Sequence, residues 1–201
     1  RPNVNIMLCS IDAKREVPLT DNASGQEFAE ALKGWAAISD NIFVWDYGIN
    51  FDNLVSPFPN FHVLQPNMEL FHRHNVRMHF AQVGGKRGED FSELRAYMIA
   101  RLLWDPYQDA DQLMQEFMAG YYGAAAPHLY QYQNMLEAAL LSNDIPLWIY
   151  DSPVSHKAGM LRPRLMECYQ ELFDKAEAAV AEQPQYLERV QRSRLPLQYA
   201  E

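Results

Sequence analysis

Trp45, Asp46 and Tyr47 are the residues best equipped for chemistry, and they close an apolar run that begins at Ile42. Sugars present apolar C–H faces and hydroxyl rims, so aromatic side chains beside a carboxylate suit their binding. A carboxylate in that setting accepts hydrogen bonds from hydroxyls, or serves as general base or nucleophile in glycoside hydrolysis. A structural alternative stands beside this one: both rings pack against a wall and Asp46 caps the next turn. Two further apolar runs end in polar groups, Val4–Ser10 at Ser10-Ile11-Asp12 and Val76–Gln82 at Gln82, while Asn50 and Asp52 follow Tyr47 closely. In barrels of parallel strands, functional side chains gather at the carboxyl ends of the strands. On that rule Asp46 is the candidate catalytic residue, and Trp45, Tyr47, Asp12, Asn50 and Gln82 are the candidate substrate-binding residues. Asp12 and Asp52 equally suit solvated turns.

Other chemistries find little support. His72, His74 and His79 lie close in sequence, but no Cys, Asp or Glu stands beside them at a metal-ligand spacing. Two of them, two residues apart on a helix, point in different directions, so they read as structural. His128 and His156 are isolated. Gly84-Gly85 lacks the pattern of a phosphate-binding loop, and no Ser/His/Asp or Cys/His arrangement follows from spacing. No metal and no cofactor is expected. Trp148-Ile149-Tyr150-Asp151 either overhangs a sugar site or anchors the helical layer, the second reading being preferred. Cys9 and Cys168 are the only cysteines; both read as small core residues and specify no disulfide framework.

The elements that must position these groups change in character near Gly84. Before it, buried-strand runs alternate with helices: Val4–Ser10, a helix over Gln26–Ile38 with Phe28, Leu32, Trp35 and Ile38 inward, Ile42–Tyr47, a Pro- and Asn-rich loop to Pro66, a helix over Asn67–His74, and Val76–Gln82. That order is the signature of parallel βαβ units. Three strands alone leave open edges and an uncovered face. After the turn at Gly84, Gly85 and Gly88 the chain reads as helical. Helices are expected over Phe91–Trp104 (Leu94, Met98, Leu102 and Leu103 inward), from Asp109 or Asp111 to Gly123 (Leu113, Phe117 and Tyr121 inward), and from Pro127 to about Ser142. A fourth covers Leu161–Ala181 (Leu165, Cys168, Leu172, Phe173 and Ala176 inward), and a short one Tyr186 to about Arg194. The expected division is therefore residues 1–90, parallel βα units that look like the end of something larger, and residues 91–201, a helical region packed on them.

The composition sets bounds on partners. Of 201 residues 48% are apolar and 21% charged, ordinary for a folded chain. A net charge of -9 disfavours nucleic acid and anionic membrane surfaces. No apolar run is long enough to span a bilayer, and no signal-peptide pattern opens the chain. It starts Arg1-Pro2 without methionine, which reads as a processed or excised piece.

Several segments together resemble a known group: Ile42–Tyr47 (IFVWDY), Ser56–Asn60 (SPFPN), Asn67, Glu93–Pro106 (ELRAYMIARLLWDP), Asp109-Ala110-Asp111, Glu116-Phe117 and Gly120–Ala124 (GYYGA). Over Phe43 to about Tyr132 the chain resembles a bacterial family classed as a domain of unknown function, similar to α-glucuronidases and N-acetylhexosaminidases. The resemblance implies an α/β fold, the C-terminal part of a (β/α)8 TIM barrel, its strands being the sixth to eighth, followed by an all-helical region. It implies polysaccharide degradation, with a periplasmic, cell-surface or secreted location. Asp46 matches a late-strand acid of the similar α-glucuronidases, whose general acid comes from an earlier strand. Gln82 matches a glutamine that Glu often precedes in the group; here Ala81 stands there, which weakens a paired-carboxylate mechanism. The expectation is thus part of a glycoside hydrolase with a carbohydrate substrate, inactive without the N-terminal part of its barrel. The rival is a non-catalytic carbohydrate-binding or scaffolding module. Open strand edges predict self-association.

Overall fold

The computed structural model describes residues 4–21 and 23–201. Three parallel strands, β1 (Ile6–Cys9), β2 (Ile42–Tyr47) and β3 (Val76–Gln82), form one sheet in sequence order, with Cys9 beside Trp45 and Trp45 beside Phe80. Helices α1 (Ala23–Ala36) and α2 (Leu64–Arg73) make the crossovers. Because side chains alternate along a strand, Ile42, Val44 and Asp46 share one face of β2, while Phe43, Trp45 and Tyr47 share the other. The first face is covered: the Phe71 ring of α2 meets His79 at 5.6 Å and Phe28 of α1 at 6.1 Å, so both helices lie on it. Ile42 and Val44 are fully buried there. On the second face Met7, Met78 and Phe80 are 54%, 49% and 45% exposed. That face is apolar and open.

The rest is helical: α3 (Ser92–Trp104), α4 (Ala110–Tyr122), α5 (Ala126–Leu141), α6 (Pro163–Ala179) and α7 (Pro184–Ala200). Local chemistry sets their ends. Asp109 caps α4, accepting from the Gln112 amide at 3.0 Å. A proline in the first turn opens α5, α6 and α7, where its missing N–H costs nothing. One hydrophobic cluster runs from Val44 and Phe71 through Leu94 and Met98 to Tyr132, Tyr169 and Phe173, so the helices and the sheet share a core.

Several expectations need correction. Cys9 is exposed, because it lies on the open face with Met7. Cys168 is only half-buried, and Tyr169 takes the inner position of α6. The inner face of α4 is Leu113, Met114, Met118 and Tyr122, leaving Phe117 and Tyr121 half-buried. Trp35 and Ile38 lie at the exposed end of α1 and beyond it, and Leu103 faces outward. The last helix is 17 residues long and runs through Pro196, which is buried. Pro184 begins that helix and is not merely a breaker of the one before.

Candidate functional site

At the carboxyl ends of the strands the expected residues separate by face. Trp45, Tyr47 and Gln82 share the side of the sheet that carries exposed Phe80 and Cys9, Trp45 and Gln82 half-buried and Tyr47 buried. Trp45 Nε1 donates to Gln82 Oε1 at 2.7 Å, and the Tyr47 hydroxyl lies 3.0 Å from Cys9 Sγ. Burial, together with the Cys9 thiol, pushes the Tyr47 phenol up. The rings continue one another: Phe80 to Trp45 is 5.2 Å, Trp45 to Tyr47 5.9 Å, Tyr47 to Phe51 5.3 Å and Phe51 to Tyr150 6.0 Å between centroids. An aromatic row therefore climbs from β3 across β2 to the loops above.

Asp46 points the other way, toward the helices, and is 9% exposed. Its carboxylate accepts from the Ser10 hydroxyl and, at 3.2 Å, from Arg15 Nη1; Arg15 also donates to the Ser10 carbonyl. His79 Nε2 stands 4.0 Å from Asp46 Oδ2, beyond a direct hydrogen bond, and both of its ring nitrogens are buried without a partner among the described residues. Burial alone would raise the Asp46 carboxyl; His79, Arg15 and Ser10 outweigh it and hold it below the ordinary carboxylate range. The group is an anion over the whole neutral range. It ties the end of β1 to β2.

Asn50 is buried and fully engaged: its Nδ2 donates to the Asp151 carbonyl at 2.6 Å and its Oδ1 accepts from the Asn53 amide at 2.9 Å. Asp12 is exposed in the turn after β1. Neither lies with Trp45 in the aromatic row.

Residues 145–151 cross over the strand ends as a strap. The Leu147 carbonyl accepts from the Arg15 amide at 2.9 Å, the Leu147 amide donates to Glu16 Oε2 at 2.9 Å, and the Ile149 carbonyl accepts from the Phe51 amide at 2.5 Å. Leu147 and Ile149 are buried, whereas Trp148 is half-buried and Tyr150 is 58% exposed. Where the strap ends, Asp151 Oδ2 pairs with buried His156 Nε2 at 2.7 Å. Burial would raise the Asp151 carboxyl, but His156, Ser155 and the Ser152 amide hold it below its ordinary value. Anchoring is thus one role of Trp148–Asp151.

A second buried charge pair fixes the loop between β2 and α2. Arg95, wholly inaccessible, donates to the Asn60 side chain, to the Phe58 carbonyl at 3.0 Å and to Asp90 Oδ2 at 3.3 Å, over the Phe61 ring. Asp90 also accepts from the Phe58 amide at 3.1 Å. Burial outweighs the Arg95 charge and pushes Asp90 up to about 6. The segments Ser56–Asn60 and Glu93–Pro106, adjacent in no sequence sense, meet here.

Sequence reasoning missed Arg15, Phe51 and Phe80 and set His79 and His156 aside. Period-two spacing with Met78 marks Phe80 for the open face; Arg15, Phe51 and the two histidines acquire roles only through contacts distant in sequence. No cluster of three or more metal-ligating side chains occurs among the described residues. A groove of about 680 Å³, lined by Val154, Leu161, Met166 and Tyr199 among others, does not include the strand-end residues.

The fold and site define an α/β protein with a small parallel sheet, an aromatic open face at its strand ends and a helical C-terminal half. The chain belongs to the family described as a domain of unknown function (DUF4838), which matches residues 1–134. No curated protein and no solved structure matches it.

Proposed function

We propose that the open face of the sheet binds carbohydrate, as part of a (β/α)8-barrel glycoside hydrolase of the α-glucuronidase or hexosaminidase type. The observation that carries the reading is the row Phe80, Trp45, Tyr47 and Phe51, with the Gln82 side chain, at the carboxyl ends of parallel strands. Aromatic surface beside amide and hydroxyl groups matches the mixed apolar and polar faces of a sugar. A parallel sheet whose two edges pair with no further strand among the described residues, and whose one face is apolar and exposed, is also what three consecutive βα units of a barrel would present before the remaining strands close around them.

Within that reading Asp46, turned toward the helices, does not touch the ligand and instead holds the strand ends in place. Its bonds to Ser10 and Arg15 keep it charged, which suits holding strand ends or stabilising positive charge better than donating a proton. The same engagement favours a second reading, a carbohydrate-binding module without turnover. Calorimetric titration with glucuronic acid and N-acetylglucosamine tests the binding face: Trp45→Ala should abolish the heat of binding, and equal affinity in that variant would remove the face from consideration. Turnover on a glycan panel by a protein carrying the whole barrel separates the readings. Turnover by that protein keeps the hydrolase; binding without turnover leaves the module.

A further inference from the structure

We infer that Tyr150 is a second glycan-contacting platform, so that the ligand is an oligosaccharide reaching from the sheet onto the strap; the inference rests on the carbohydrate reading above and extends it. Tyr150 ends the aromatic row, 6.0 Å from Phe51, and presents more than half of its surface to solvent. Its hydroxyl has no hydrogen-bond partner among the described residues, so both the ring and the polar tip are available to a ligand.

The strap holds this ring in place before any ligand arrives. Alternate residues point inward and outward along it, so buried Leu147 and Ile149 fix the outward Trp148 and Tyr150. Three hydrogen bonds tie the strap to the loops after β1 and β2, Asn50 holds the Asp151 carbonyl, and the Asp151–His156 pair pins its far end. A platform ordered in advance loses little side-chain freedom on binding. The strap also lies outside residues 1–134, the stretch matched to the family. Tyr150 stands beyond Phe51 along the row that starts at Trp45, a contact that a single sugar seated on Trp45 would not reach.

The test compares short and long ligands on the same variants. N-acetylglucosamine, its β-1,4-linked trimer, glucuronic acid and a glucuronic acid-bearing xylotriose are titrated calorimetrically against the wild-type chain, Tyr150→Ala, Tyr150→Phe and Gln82→Ala, with circular dichroism confirming the fold of each. Loss of one aromatic contact weakens binding about tenfold, so Tyr150→Ala should weaken an oligosaccharide by that factor and leave its monosaccharide unchanged. Tyr150→Phe should retain most of the affinity. Gln82→Ala should weaken both lengths. If Gln82→Ala weakens both while Tyr150→Ala changes neither, the platform is overturned and the strand-end reading stands. Equal affinity of the wild type for short and long ligands also overturns the platform. No binding of any of the four overturns both.

Discussion

At the scale of single residues, three buried carboxylates differ in what their surroundings do to them. Asp46 and Asp151 are surrounded by donors that hold them ionised, so each binds its proton less tightly when folded than when unfolded. Their contribution to stability is present above the unfolded value of about 3.9 and is lost as pH falls through the lower folded value. Asp90 behaves oppositely. Its folded value of about 6 exceeds the unfolded one, so the folded chain holds the proton more tightly. Its contribution therefore declines as pH rises from about 4 to about 6 and is level above that. Urea unfolding across this range should show that decline in the wild type and not in Asp90→Asn; an unchanged slope in the variant would assign the titration elsewhere. At neutral pH the same substitution strands the buried Arg95 charge and should cost about 3–5 kcal/mol, and pairing it with Arg95→Met should restore part of that.

At the scale of elements, hydrogen bonds with Arg15, Glu16 and Phe51 join the strap to the strand-end loops while Leu147 and Ile149 pack into the core. His156→Ala removes one partner of the buried Asp151 carboxylate while the Ser152 amide keeps its bond to Oδ1, and the loss of that one hydrogen bond costs about 1 kcal/mol. Hydrogen exchange reads the consequence directly: the Arg15 and Phe51 amides, which donate to the strap, should exchange faster while those of β2 do not. Unchanged protection at both would mean that Leu147 and Ile149 suffice. Much of the element pattern was legible in sequence. Ile42–Tyr47 and Val76–Gln82 are strands with the bounds their apolar runs predict, and Asp109 and Pro127 mark helix starts through chemistry confined to one turn. What was not legible depends on partners. The run Ile42–Tyr47 is apolar on both faces, so nothing within it tells that Asp46 turns toward the helices while its neighbours turn away. That follows from Ile42 and Val44, which share its side and are covered by Phe28 and Phe71, distant in sequence. The inner stripe of α4 is not legible in sequence because Met114, Met118, Phe117 and Tyr121 are all apolar, and packing alone chooses between adjacent stripes.

The whole molecule has one well-formed core and one exposed apolar surface. Met7, Met78 and Phe80 together expose apolar area of the kind that drives association, and the outer edges of β1 and β3 carry main-chain groups that no strand among the described residues pairs. Light scattering over a concentration series should show mass rising above 23.3 kDa, and Phe80→Lys with Met78→Lys should return it toward that value without lowering the melting temperature. A wild type that stays monomeric at every concentration would count against an adhesive face. That surface also carries a built-in reporter. Cys9 lies on it in the open, whereas Cys168 is half-buried in α6. A thiol reagent should modify Cys9 first, and the speed of that modification records whether anything covers the sheet: fast in a chain alone, slowed by whatever strand, second copy or bound glycan comes to rest there.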